Sequence, residues 1–242
     1  MPAEEASRYG DRKFVAMMYA KVVCVQLVNF LGFDVLFQDV DIVWYQDPLT
    51  EFHDKNSDLA NYDIMFQDDG ARSIRYAPYS ANSGFYYVRH NDRTRYLFTS
   101  LLYQSDLIAA LHSHQQVLTA LITEHSSLFG TKIKTLDGPT YPGGYHYHRS
   151  SSLMKAIVKE EHKPILFHMS WTQNKDNKLL FFKQMGLWYL KEQCEVYSNI
   201  EKGSMGDCCA AEPLISCHYR DKPSKIPCKE SPPIDSNGRS FW

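Results

Sequence analysis

Apolar residues at 14, 17, 18, 22, 25, 28 and 31 fall on one stripe of a helix, and Gly32 follows as a C-terminal stop. The period then changes. Asp34 to Trp44 (DVLFQDVDIVW) is β-branched and aromatic, reads as one buried strand, and is broken by Asp47-Pro48. Asp63 to Gln67 and Gly84 to Arg89 read as two more short strands, and Arg93 to Leu111 as a helix. Ser113, with Gln116 three residues on, has the pattern of a capping box and starts a helix running to about His125. Lys132 to Leu136 predicts a short strand, Asp137 to Gly144 a Gly/Pro-rich loop, Pro164 to His168 a last strand, and Leu179 to Gln193 a last helix. Strands alternating with helices predict an α/β layered domain. The composition shifts after about residue 198. The stretch 199–242 holds four cysteines and five prolines and has little periodicity, so the expected organisation is one domain over 1–198 and a Cys/Pro-rich irregular tail over 199–242.

Composition narrows the function classes. The 242 residues are 44% hydrophobic and 22% charged, which suits a packed globule rather than a disordered chain. Lys+Arg 26 against Asp+Glu 28 gives a net charge of -2, so no global basic field exists to hold nucleic acid. The polar, acidic start Met1 to Gly10 predicts no targeting segment there. Val15 to Leu31 is the most apolar stretch, but Lys21, Gln26 and Asn29 interrupt it, and a core helix is expected rather than a membrane span. Cys24 lies in the early helix, whereas Cys194, Cys208, Cys209, Cys217 and Cys228 cluster late and contain no C-x-x-C spacing. A disulfide-clasped tail in an oxidising compartment is therefore expected rather than a zinc site; free cytosolic thiols are the alternative, and connectivity stays open.

The strongest chemical signal is Asp39-Val40-Asp41 at the end of an apolar stretch. Unpaired buried carboxylates are costly, and residues i and i+2 of a strand point the same way, so both can converge on one cation. Hard divalent ions favour such oxygens and share their remaining positions with phosphate and water. Three readings are open at this point. The two aspartates can cap a turn. D-V-D-I-V also fits the nucleophile and general acid of a haloacid-dehalogenase-type phosphatase. Finally, a carboxylate pair can hold a metal on the diphosphate of a sugar nucleotide.

Five strings in order favour the last. They are Tyr19-Ala20-Lys21, Leu36 to Trp44 with Asp47-Pro48, Ala81 to Arg89 (ANSGFYYVR), Ser113 to Leu118 (SHQQVL), and His168 to Lys175 (HMSWTQNK). Together, over about residues 9 to 190, the chain resembles the nucleotide-diphospho-sugar transferase family, whose plant members include rhamnogalacturonan xylosyltransferases. The resemblance implies a GT-A-like, Rossmann-type sandwich with a mostly parallel central sheet, here lacking its first strand. It implies manganese (or magnesium) held by Asp39, Asp41 and His168, a nucleotide-sugar donor (a UDP-sugar), and a glycan or glycoprotein acceptor. Retention at the anomeric carbon follows from it, as do residence in the Golgi lumen or secretory pathway and, for a full-length form, a membrane anchor.

The resemblance also assigns substrate contacts. Lys21 would lean on the donor, Lys175 (or Lys178) would touch a phosphate, and Asn82, Ser83 and Gly84 would read sugar hydroxyls. Asp68 and Asp69 would bind hydroxyls of donor or acceptor, and Trp171 would stack on a sugar face. The family's D-Q pair is His114-Gln115 here, which leaves Gln115 as the candidate catalytic residue, an amide dipole beside an oxocarbenium-like centre. A non-catalytic sugar-binding protein of the secretory pathway is the remaining alternative.

Overall fold

The computed structural model describes residues 6, 10–172, 175–194 and 208–213. The chain forms two compact units: Met1–His146 with Pro164–Ser170, and Tyr147–Lys163 with Trp171–Trp242.

The first unit opens with α1 (Arg12–Phe30), capped by Asp11, whose side chain accepts from the Phe14 N–H at 2.8 Å. Met18, Val22, Val25 and Asn29 are its buried positions, a spacing that keeps them on one face. Length and composition alone would let this helix cross a membrane, but Val22 and Val25 belong to the core of the unit. The predicted stripe is corrected at its end, where Val28 and Leu31 are exposed and Asn29 is buried. The Asn29 carbonyl meets His90 Nδ1 at 2.7 Å.

Asp34 to Trp44 is not one strand. It forms β1 (Val35–Gln38) and β2 (Ile42–Trp44), separated by a turn at Asp39–Asp41 in which Val40 is fully exposed. The two aspartates thus sit on a turn between two sheets rather than on one strand face. A short helix, α2 (Leu49–Phe52), follows and was not predicted. Next come β3 (Ile64–Asp68), β4 (Ala81–Val88), α3 (Asp92–Leu102), α4 (Ser105–Leu111), α5 (His114–Phe129) and β5 (Ile133–Thr135). The long helix expected over 93–111 is therefore two helices. At α5 the Ser113 side chain accepts from the Gln115 N–H at 3.2 Å.

The main sheet has the order β1-β4-β3-β5. β4 runs against both β1 and β3, while β3 and β5 are parallel. Three strands share a direction, but the reversed β4 lies between two of them, so the expected mostly parallel sheet is corrected to a mixed one. The β3–β4 connection contains one short 3-10 turn, Ile74–Tyr76, and no crossover helix, so the two strands pair antiparallel.

β4 is buried along its whole length and separates two cores. On one face Ala81, Tyr86 and Val88 join Ile64 and Phe66 against Val22, Val25, Leu97, Phe98, Leu118 and Ile122. On the other, Phe85 and Tyr87 join Met65 against Phe52, Leu136, Tyr141 and Leu166. The alternation of period two over Phe85–Val88 thus produces the layered sandwich, while the irregular register between Ala81 and Tyr86 returns Ala81 to the first core. Aromatic pairs bind both layers, with Phe37–Tyr86 centroids at 5.1 Å and Phe52–Tyr87 at 5.0 Å. A second, two-stranded sheet pairs β2 antiparallel with β6 (Leu166–His168), and its register sets His168 opposite Ile42.

α6 (Gly144–Arg149) leads into the second unit, which contains α7 (Ser151–Val158) and α8 (Lys175–Gln184). Neither α6 nor α7 was predicted, and α8 begins and ends earlier than the expected Leu179–Gln193. Cys194 and Cys208 form a disulfide, and Leu190 bridges Cys209. Cys24 is an exposed free thiol. Cys217, Cys228, the boundary near residue 198 and most of the expected tail lie outside the described residues.

Candidate metal centre

Three backbone contacts build the site. The Asp39 N–H donates to the Gly84 carbonyl at 2.7 Å, which ties the end of β1 to β4. The Met169 N–H donates to the Asp41 carbonyl at 3.0 Å, and the His168 N–H to the Pro142 carbonyl at 3.1 Å. Sheet pairing thus carries His168 from far along the chain to the aspartate turn. Ligating atoms of Asp39, Asp41 and His168 all lie within 4.8 Å of one another. His168 is 2% exposed and Asp41 8%.

The arrangement fits a hard divalent ion. Two carboxylates and one imidazole suit magnesium or manganese, and His168 Nε2 faces Asp41 Oδ1 at 3.3 Å, long for a hydrogen bond between them. His168 Nδ1 lies 2.7 Å from Gln67 Oε1, which leaves Nε2 turned toward the carboxylates. Gly84 makes the room. A Cβ there would stand 2.5 Å from His168 Cε1 and 2.9 Å from Asp39 Oδ2, closer than any real side chain is tolerated.

Around the triad, Lys21 Nζ bonds Asp39 Oδ1 at 2.5 Å, so α1 supplies a cation at the edge of the site. A hydrogen-bond chain runs outward along β4. Gly84 N–H donates to Asn82 Oδ1 at 2.7 Å, and Asn82 Nδ2 donates to buried Asp69 at 2.7 Å. The Ser83 N–H and hydroxyl both donate to Gln115 Oε1, at 3.0 and 3.1 Å. Both lone pairs of that oxygen are engaged by Ser83. In this arrangement Gln115 holds Ser83. Asn82, Ser83 and Gly84 lie inside β4 rather than on a turn before it.

Asp68 grips Arg72 through two bonds of 2.9 and 2.7 Å. Burial pushes its pKa up, but the bonds from Arg72 and the Gly70 N–H outweigh that and hold it below the ordinary carboxylate value. This pair lines a cavity of about 330 Å³ with Tyr76, Tyr79, Ser80 and Thr135. Trp171 and Lys175 belong to the second unit, where the Trp171 carbonyl meets His148 Nε2 at 2.9 Å and Lys175 begins α8.

Sequence reading missed three residues here. Gln67 and Arg72 carry no motif. His114 was noted only as a replaced aspartate, yet it is buried with both ring nitrogens lacking a hydrogen-bond partner. Burial, helped by the charge of Lys21, pushes its pKa down to about 3, so it is neutral at physiological pH.

Comparison with known proteins gives the same direction. A family model described as nucleotide-diphospho-sugar transferase matches residues 2–182. The chain is 26% identical over 214 residues to a UDP-galactose:fucoside alpha-3-galactosyltransferase of Dictyostelium discoideum, covering 82% of this chain and 32% of that protein. It is 21% identical over 208 residues to UDP-D-xylose:L-fucose alpha-1,3-D-xylosyltransferase 3 of Arabidopsis thaliana, covering 78% of this chain and 51% of that one. The chain thus spans from about a third to about half the length of these two relatives. No solved structure matches it.

Proposed function

The chain belongs to the nucleotide-diphospho-sugar transferase family, and from that premise we propose that it transfers a sugar from a UDP-sugar to a glycan or glycoprotein acceptor. The observation that carries this reading is the convergence of Asp39, Asp41 and His168 within 4.8 Å. The family match favours it over the phosphatase reading of the same aspartates.

Asp39, Asp41 and His168 would hold manganese or magnesium. A bound divalent ion supplies a Lewis acid for the charge that grows on the leaving diphosphate. Lys21 adds a mobile point charge next to Asp39, suited to a phosphate oxygen. The β4 segment Asn82–Gly84 presents a closely approachable backbone beside the triad, and Gln115 fixes the Ser83 hydroxyl there. Asp69 orients Asn82 through its hydrogen bond. The cavity at Asp68, Arg72 and Tyr76 pairs hydrogen-bonding groups with aromatic rings, a combination that suits a sugar of the acceptor.

Both relatives carry alpha products and fucose acceptors in their names, which supports retention and makes fucosides the first acceptors to assay. The Cys194–Cys208 disulfide supports residence in the secretory pathway, and the Golgi lumen is the proposed site.

Calorimetry against UDP with and without Mn2+ tests the donor site. Metal-dependent heat is expected, and Asp39→Asn or Asp41→Asn should remove it. A wild-type protein that gives no metal-dependent heat would overturn the donor reading. UDP binding without hydrolysis or transfer of UDP-galactose or UDP-xylose would instead favour a non-catalytic sugar-nucleotide binder.

A further inference from the structure

Gln67 is fully buried and lies at the irregularity in the β3–β4 register between Phe66 and Asp68. Such bulges re-aim side chains. Its Nε2 donates to the Tyr141 carbonyl at 2.9 Å and to the Pro142 carbonyl at 3.1 Å. Both amide protons are then spent. The end left for His168 Nδ1, at 2.7 Å, is the Oε1 oxygen, which can only accept. Turning the amide over would set its oxygen against two carbonyls and lose those bonds. The loop that supplies the carbonyls is itself tied down, by Tyr141 N–H to the Asp137 carbonyl at 2.9 Å and by His168 N–H to the Pro142 carbonyl.

We infer that Gln67 is a positioning residue that fixes the tautomer of His168. The inference rests on the metal reading above. With Nδ1 held as the donor to Gln67, Nε2 is the nitrogen left to offer a lone pair to an ion, and Nε2 is the atom that faces Asp41. A metal-binding imidazole requires that state at the ligating nitrogen, and a partner on the other nitrogen sets it. Gln67 thereby fixes which ring nitrogen is turned to the ion, through contacts the folded chain already makes. It lies on β3, whereas the aspartates lie on the β1–β2 turn and His168 on β6, and it contacts the site through His168.

The test is nitrogen-15 NMR on histidine-labelled, metal-free protein at neutral pH, together with titration of Mn2+ followed by electron paramagnetic resonance. Wild type should show His168 protonated at Nδ1. Gln67→Met, similar in volume and without an amide, should shift the ring toward the Nε2–H form and weaken Mn2+ binding about 10- to 100-fold. A wild-type ring protonated at Nε2, or a Gln67→Met protein with unchanged tautomer and affinity, would overturn the inference. If Gln67→Met does not fold, the wild-type tautomer decides. A wild type that binds no Mn2+ but whose tautomer still follows residue 67 would sink the metal reading while leaving Gln67's hold on His168 intact.

Discussion

A methyl group at position 84 would be enough to disarm the site. Gly84→Ala puts a carbon where His168 and Asp39 now approach, and the strand is buried too deeply to move aside. We expect loss of Mn2+ binding together with a destabilisation of about 1–3 kcal/mol, read by calorimetry and by urea unfolding. Unchanged Mn2+ affinity in the folded variant would place the ion elsewhere. At this scale the two aspartates and the histidine were legible because carboxylates and imidazole on apolar stretches are chemically conspicuous. Gln67 was not. An amide inside a buried strand has no local marker, and its partners are backbone carbonyls more than seventy residues away. For Gln115 the residue type pointed to chemistry, and the fold adds what no sequence pattern shows, its two hydrogen bonds from Ser83.

Elements are joined by a few charged or polar nodes. Asp63, at the start of β3, accepts from Arg93 and Asn91 at α3 and from the Lys132 N–H at β5. Burial raises its pKa, but these bonds overcome that and hold it below the ordinary value. Its stabilisation is present above the unfolded carboxylate pKa and is lost as pH falls through the lower, folded value. Asp63→Asn should cost about 2 kcal/mol at neutral pH, with a gap to wild type that narrows in acid.

His114, at the first turn of α5, also makes the fold acid-sensitive. Between pH 6.5 and about 3 the unfolded chain accepts a proton that the folded ring refuses, so stability falls as pH drops through that window. At pH 5 the loss is about 2 kcal/mol. His114→Met should flatten the dependence in urea titrations at pH 7 and pH 5, and an equally steep dependence in the variant would show that other groups carry it.

Element types were mostly readable where periodicity was strong, as in α1, α5, β3 and β4. The stretch Asp34–Trp44 was not, because a β-branched run looks the same whether it stays in one sheet or turns into a second. α6 was hidden by a run of Tyr and His, and α7 by its brevity, since the stripe of Leu153, Met154 and Ile157 spans barely two turns. Strand direction was hidden too, since the reversal at β4 depends on what the β3–β4 loop lacks rather than on any residue in the strands.

For the molecule as a whole, the Cys194–Cys208 bridge closes a short loop in the second unit. Closing a loop of about this size is worth roughly 3 kcal/mol against the unfolded chain. Reducing agent, or Cys208→Ser, should raise protease sensitivity within the second unit while leaving the heat of Mn2+ binding by the first unit unchanged. Equal digestion with and without reductant would show that the bridge contributes nothing to the ordering of that segment.

The first unit is discontinuous: its last piece, Pro164–Ser170, returns after the chain has passed through residues of the second. That returning piece carries the only imidazole of the triad, whereas both carboxylates and Gln67 arrive early. During synthesis, a ribosome that has released the first hundred and fifty residues has made a sheet with an acidic turn but no complete ligand set. On the proposed metal reading, loading an ion therefore requires the chain to have been made through His168, and a chain ending before that residue would lack a ligand even with its larger core assembled.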